Sequence, residues 1–247
     1  MSEQHLYWLF FILFGLCFGS FSNVLIYRLP EGKSINFPPS SCMNCKKRLK
    51  WYHNIPLFSW IALRGRCAYC KCHISFQYPL VELIGGLLMF CAYFYENSII
   101  KGLLLGICFI NLLSLSIIDL RYKAVPSSLL YLNLAIALLY GWSIDLILSA
   151  ALFAALFFSL RVVVSFVIKQ EAMGSADIDI AAIIGAILGI KLGFFAIYLA
   201  ALLTLPAYLI VRKRGYELPF VPFLAAGLLL SYLFSSEILL LFEKLYG

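Results

Sequence analysis

Residues Ile99 to Asp119 read IIKGLLLGICFINLLSLSIID, an apolar run that ends on a carboxylate. At 1.5 Å per helical residue, such a run reaches across a hydrocarbon core of about 30 Å and reads as a transmembrane helix. An ionisable group at the edge of such a span is costly and faces a cavity or a partner, so Asp119 is a candidate for function. Asp177 repeats the arrangement at the start of the apolar run from Ile178.

Working outward, composition assigns the class. Apolar residues make up 63% of the 247 and charged residues 13%, with a mean hydropathy of +0.95; a soluble domain has roughly 45–50% and 25%. The chain is therefore read as an all-α polytopic membrane protein embedded in a lipid bilayer. Its net charge of +7 raises nucleic acid as a partner, but no basic stripe interleaved with aromatics is read here, and nucleic acid is not expected. In so apolar a chain, basic residues mark cytoplasmic loops.

Eight apolar runs are long enough to mark off: Leu6–Tyr27, Pro79–Tyr95, Ile99–Ile118, Ser127–Trp142, Ile144–Ile168, Ile178–Ile190, Leu192–Val211 and Pro219–Phe242. The fourth and sixth are short, and the breaks at Gly141 and near Lys191 are weak, which leaves seven or nine spans open. With eight spans and the N-terminus outside, only Lys101, Lys191, Lys244 and the intramembrane Arg161 fall away from the inner loops. That asymmetry makes residues 29–78 cytoplasmic and puts Asp119 and Asp177 on the same face. The first run, preceded by Glu3 and no Lys or Arg, reads as a retained anchor.

Residues 29–78 form the one sizeable polar segment, near the size that needs a metal or disulfides to fold. It contains Cys42-x-x-Cys45 and Cys67-x-x-Cys70, separated by 21 residues. Two-residue spacing lets both sulfurs of each pair reach one tetrahedral ion, so Cys42, Cys45, Cys67 and Cys70 are the expected ligands of a structural zinc. Disulfides or free thiols are the alternative, disfavoured in a reducing cytoplasm; Cys72 is a substitute ligand to weigh against Cys70. The organisation is then a first transmembrane helix (1–28), the four-Cys segment (29–78) and a membrane-embedded domain (79–247) that holds both aspartates.

The chain has four aspartates, Asp119, Asp145, Asp177 and Asp179. Asp145 falls at an outer turn in this topology. Asp177 and Asp179 lie about 200° apart on a helix, so one of them faces Asp119, and Asp177, just after Gly174 and Ser175, is the better placed. Two carboxylates close together in a low-dielectric site share a proton and titrate as a pair. The ionised member then takes a proton from water while the protonated member polarises a carbonyl. Singly, each aspartate is equally explained as a helix cap, or as an ion-pair partner in the case of Asp119 with Arg121 or Lys123.

The motifs, taken in order, resemble the bacterial type IV prepilin peptidases. The similarity runs through Gly19-Ser20-Phe21-Ser22-Asn23-Val24 and Tyr27-Arg28-Leu29-Pro30, then Cys42-Met43-Asn44-Cys45, Asn54-Ile55-Pro56 and Gly65-Arg66-Cys67. It continues with Ile74-Ser75, Tyr78-Pro79-Leu80-Val81-Glu82, Ile118-Asp119 with Pro126, and Glu171-Ala172-Met173-Gly174-Ser175-Ala176-Asp177. Beyond Asp177 it is similar only in hydropathy.

The resemblance implies an aspartic endopeptidase of the inner membrane. It would remove the short basic leader of prepilins and pseudopilins at the cytoplasmic face and methylate the new amino terminus with S-adenosylmethionine. By position, Asp119 and Asp177 correspond to the family's catalytic pair, the second in a Gly-x-Gly-Asp motif. This chain departs at Ala176, where glycine is typical and the loop is expected to be tighter or differently poised, at Asp179, where lysine is frequent, and at Ser127, where an acid often stands. Glu82 and Glu171 are read either as receptors for leader cations or as interfacial caps. No Rossmann-type glycine fingerprint appears, so the methyl-donor residues stay unassigned. A transporter would show internal repeats, and none is evident; a non-catalytic assembly factor would keep the cysteines without needing both aspartates.

Overall fold

In hydrocarbon, backbone polar groups must be satisfied within the segment, and a run of apolar residues does so by becoming a helix. The computed structural model describes residues 3–169, 174–211 and 218–246. Its elements are α1 (Glu3–Arg28), α2 (Phe58–Ala62), α3 (Gln77–Glu96), α4 (Ile99–Tyr122), α5 (Ser127–Tyr140), α6 (Ile144–Ile168), α7 (Ser175–Val211), α8 (Val221–Leu233) and α9 (Ser235–Tyr246).

The all-helical reading holds, but eight spans is too high a count. Among the described residues, five helices (α1, α3, α4, α6 and α7) are long and apolar enough to cross, or six when α8 and α9, bent by 76°, count as one. One reason is length: α5 has 14 residues, roughly 21 Å of helix. The other is α7, where the runs Ile178–Ile190 and Leu192–Val211 belong to two helices joined across a kink at Gly189 with φ 69° and ψ −170°, a conformation natural only to glycine, and together make one candidate span. The break read near Lys191 lies two residues past this kink.

The chain divides into two compact units, Met1–Ser114 and Leu115–Gly247. In the first, α1 packs along α3 through glycines. A Cβ at Gly15 would lie 2.5 Å from the Gly85 carbonyl, and one at Gly19 would lie 2.8 Å from that of Val81. The small-xxx-small pair thus serves close helix approach. Phe11 stacks on Tyr93 at 4.2 Å, and the Asn23 side-chain amide donates to the Tyr78 carbonyl at 3.2 Å. The Arg28 guanidinium, at the end of α1, donates to the carbonyls of Ser34, Ile35 and Pro38 and draws the polar segment back onto the helix end.

In the second unit α7 is central, packed against α5, α6 and α8. Its Ile180, Ala181, Ile183, Ile184 and Ala186 are fully buried. Glycines again set the approach, because a Cβ at Gly185 would meet the Ser149 carbonyl at 2.6 Å. Small residues on α7 allow its neighbours to close around the N-terminal end that carries Asp177.

Candidate active site and metal cluster

Asp119 lies in the last turn of α4, and Asp177 in the first turn of α7. Both are buried, at 8% and 7% exposure, which at a helix end requires partners. Asp119 Oδ2 accepts the Val221 N–H at 3.3 Å. Val221 is the first residue of α8, so its N–H is one of the donors that a helix start leaves without an intrahelical acceptor. Asp177 accepts the backbone N–H of Gly174, immediately before α7. This is the reach-back half of a capping box, three residues into the helix. Each carboxylate thus faces the positive end of a helix dipole.

The two carboxyl groups are close enough for Asp119 to act electrostatically on Asp177. Asp179 is less buried than Asp177, and no such interaction with Asp119 accompanies its burial. Of the two aspartates, Asp177 is therefore the one that feels the Asp119 charge. A buried carboxyl pair whose members sit on different helices can divide one proton and activate a water between them.

The cap explanation of Asp177 and the pairing explanation are both present in the structure, since one side chain performs both. Ala176 lies in the first turn of α7 and is absent from the positive-φ residues, so alanine is accommodated there without strain. Glu171 falls outside the described residues. Val221 was not a sequence candidate. Its signal was the Pro219-Phe220-Val221-Pro222 run, because proline marks the first turn of a helix, but nothing in the run indicated which carboxylate its amide would meet.

Glu82 has a partner too. It is buried, and its Oε2 accepts the Leu57 N–H at 2.8 Å; Ser20 adds a side-chain hydrogen bond. Leu57 has φ 61° and ψ −52°, and the Phe58 N–H donates to the Pro56 carbonyl at 2.7 Å. That makes Leu57 the centre of a γ-turn, an uncommon and strained conformation. Of the two roles read for Glu82, the structure supplies the capping kind: it holds a loop amide.

The four sulfurs of Cys42, Cys45, Cys67 and Cys70 all lie within 4.8 Å of one another. Two like knuckles bring them there. The Cys42 N–H donates to the Lys47 carbonyl at 3.0 Å and the Lys46 N–H to the Cys42 carbonyl at 2.9 Å; the Cys67 N–H donates to the Cys72 carbonyl and the Lys71 N–H to the Cys67 carbonyl, at 2.8 and 3.1 Å. Lys46 and Lys71, at matching positions, both have positive φ. Around one ion with Zn–S bonds near 2.3 Å, tetrahedral sulfurs stand roughly 3.8 Å apart, and Cys42 and Cys70 stand at 3.8 Å. The cluster fits a closed four-thiolate site.

Cys72 Sγ is also near, 3.6 Å from Cys42 Sγ. Position separates it from the four: Cys70, not Cys72, stands three residues after Cys67 as Cys45 does after Cys42. The backbone N–H of Cys72 donates to the Cys70 sulfur and, with the Cys72 side chain, lowers the Cys70 thiol to about 6. The Cys45 N–H likewise lowers the Cys42 thiol. Contacts with Cys70 and Cys42 push Cys72 up to about 12. The matching place of Cys70 and Cys45 in the two knuckles therefore favours Cys70 over Cys72.

Against known proteins, residues 13–96 match the model of the bacterial peptidase A24 N-terminal domain, and residues 106–209 match that of the type IV leader peptidase family. A prepilin leader peptidase/N-methyltransferase of Bacillus subtilis (strain 168) is 32% identical over 94% of this chain and 96% of that protein. The protein of that name from Myxococcus xanthus (strain DK1622) is 39% identical over 74% of this chain, though over only 56% of its own length. One from Vibrio cholerae is 31% identical over 83% of this chain and 86% of its own. No solved structure matches.

Proposed function

The chain belongs to the type IV leader peptidase family, and from that premise we propose that it cleaves the leader peptide of type IV prepilins and pseudopilins and then methylates the exposed amino terminus. It is a membrane protease with an N-methyltransferase activity. We place it in the bacterial inner membrane, with the reaction at the cytoplasmic face. A prepilin offers a basic leader in the cytosol followed by an apolar helix in the bilayer, so the bond to be cut lies at the boundary where Asp119 and Asp177 stand.

The observation that supports this most is the convergence of two buried carboxyl groups on the ends of separate helices. Asp119 and Asp177 are the proposed catalytic pair. The ionised member accepts a proton from water as the water attacks the scissile carbonyl, and the protonated member donates a hydrogen bond to that carbonyl oxygen. The leaving amine recovers a proton from the pair, with no acyl-enzyme. The helix-start amides of Val221 and Gly174 hold the two groups in position.

Zinc is the proposed occupant of the Cys42, Cys45, Cys67 and Cys70 cluster, where four thiolates leave no open position and the ion would cross-link the two knuckles. S-adenosylmethionine is the proposed methyl donor. The described residues contain no strand-to-helix glycine turn of the nucleotide-binding type, and no residue is assigned to it.

Incubation of the membrane-embedded protein with a synthetic prepilin and an isotopically labelled methyl donor, read by mass spectrometry, tests both activities together. Leader loss and label at the new amino terminus are expected from the wild type, and neither leader loss nor label from D119N or D177N. Processing that persists in either variant removes the carboxyl pair from the mechanism.

A further inference from the structure

Between α1 and α3, residues 29–78 carry eight of the basic residues and the single acid Glu31, so this segment holds as much positive charge as the whole chain has net. Lys47, Arg48, Lys50, Trp51 and Tyr52 lie within one short stretch of sequence. Folding adds Tyr69 from the second knuckle. The Lys47 ammonium lies over the Tyr69 ring at 5.5 Å and the Lys50 ammonium over the Tyr52 ring at 5.7 Å. Arg48, Leu49, Lys50, Trp51, Tyr52 and Tyr69 line one open depression of about 470 Å³.

Trp51 is 78% exposed. Trp60 of the same segment, by contrast, donates its indole N–H to the Ile74 carbonyl and is partly buried. An indole left so open among three cations belongs at a boundary, where its apolar ring and polar N–H each find a suitable medium.

We propose that this aromatic and basic face docks on the anionic phosphate headgroups of the bilayer that α1 and α3 cross, so that the four-cysteine segment lies against the membrane surface. Two features select that occupant. Charge complementarity requires an anionic surface and excludes the basic leader of the substrate, which the same cations repel. The segment is also tethered at both ends, leaving the bilayer at Arg28 and returning at Gln77, so a lipid surface is held at high effective concentration while a soluble anion is not. Juxtamembrane basic clusters are attracted to anionic lipid in this way.

The test uses the full chain in nanodiscs. Fluorescence of the wild type minus that of Trp51→Phe isolates the Trp51 signal, and lipids brominated near the headgroup report its contact with the bilayer. In nanodiscs rich in phosphatidylglycerol the Trp51 signal should shift to the blue and be quenched about twofold more than in pure phosphatidylcholine. High salt and the K47E/R48E/K50E variant should both abolish the difference. Zinc content shows that the variant is folded, and the lipid comparison on the wild type stands without it. A water-exposed, unquenched Trp51 in both lipids overturns the proposal. So does an equal blue shift in phosphatidylcholine discs on adding inorganic phosphate, an oligonucleotide or an acidic protein, because each would assign the face to a soluble partner.

Discussion

In the first unit, four sulfurs are delivered by two short knuckles of like sequence, each closed by its own backbone hydrogen bonds before it meets the other. In the second unit, two carboxylates come from the end of α4 and the start of α7, and nothing local to either brings them together. The cluster is a local device that a metal would complete. The carboxyl pair is a product of helix packing, and its geometry depends on α7 and α8 closing around it. The two regions should therefore fail independently, and differently.

The largest separation comes from the carboxylates. D119N and D177N should each lower leader cleavage by on the order of a thousandfold or more, as removal of one member of a cooperating catalytic set does. Zinc content should remain at the wild-type level. Metal loss on changing an aspartate would mean that the regions are not independent.

The reciprocal change should be nearly as large in its own readout. C42S or C67S should take the metal from about one ion per chain to near none. Limited proteolysis should then cut within residues 29–78 while α6 to α8 stay protected. Protection lost throughout would erase the distinction drawn between the units.

That contrast also explains what could be read from the sequence alone. Cys42-x-x-Cys45 and Cys67-x-x-Cys70 were legible because two-residue spacing dictates a knuckle whatever surrounds it. Asp119 and Asp177 were legible as charges at the ends of apolar runs. The amides that hold them were not: Val221 meets Asp119 only through packing far along the chain, and Leu57 meets Glu82 through a strained turn that its residue type does not announce. The span count missed for a related reason. Hydropathy marks apolar runs but not how two helices meet at a break, and the two parts of α7 join directly across the Gly189 kink with no loop between them.

Smaller effects probe how the pair is held. V221P removes one N–H at a helix start, where proline's φ is tolerated. The loss of a hydrogen bond to a carboxylate, about 1.5–3 kcal/mol, should lower kcat/KM roughly ten- to a hundredfold. No change would leave Asp119 positioned by something else. Gly227→Ala should act through the same helix, because its Cβ would collide with the Ala196 carbonyl and the Ala200 backbone. Overpacking costs about 1–3 kcal/mol, and this one should lower both thermal stability and cleavage. Gly15→Ala, which crowds Gly85 and Met89 in the first unit, should cost similar stability yet leave cleavage per folded molecule unchanged.

The finest distinction is between Cys70 and Cys72, neighbours with opposite protonation. In metal-free protein, Cys70 is lowered from 9.0 to about 6 by the Cys72 N–H and side chain. A depressed thiol favours the fold in its thiolate form; that contribution is complete above pH 9 and is lost as pH falls through about 6. The ultraviolet absorbance of the thiolate should therefore show a step near pH 6 that C70S removes. C72S should leave a step in the acid range, because Cys72, held up to about 12 by Cys70 and Cys42, has no thiolate to lose there. It should shift that step upward, since the Cys72 side chain is one of the groups that lowers Cys70. Metal affinity should likewise fall far more in C70S than in C72S, since Cys70 holds the place in the second knuckle that Cys45 holds in the first. If C72S lost the metal and C70S kept it, the knuckle would close on the other sulfur, and the likeness of the two halves would not govern the site.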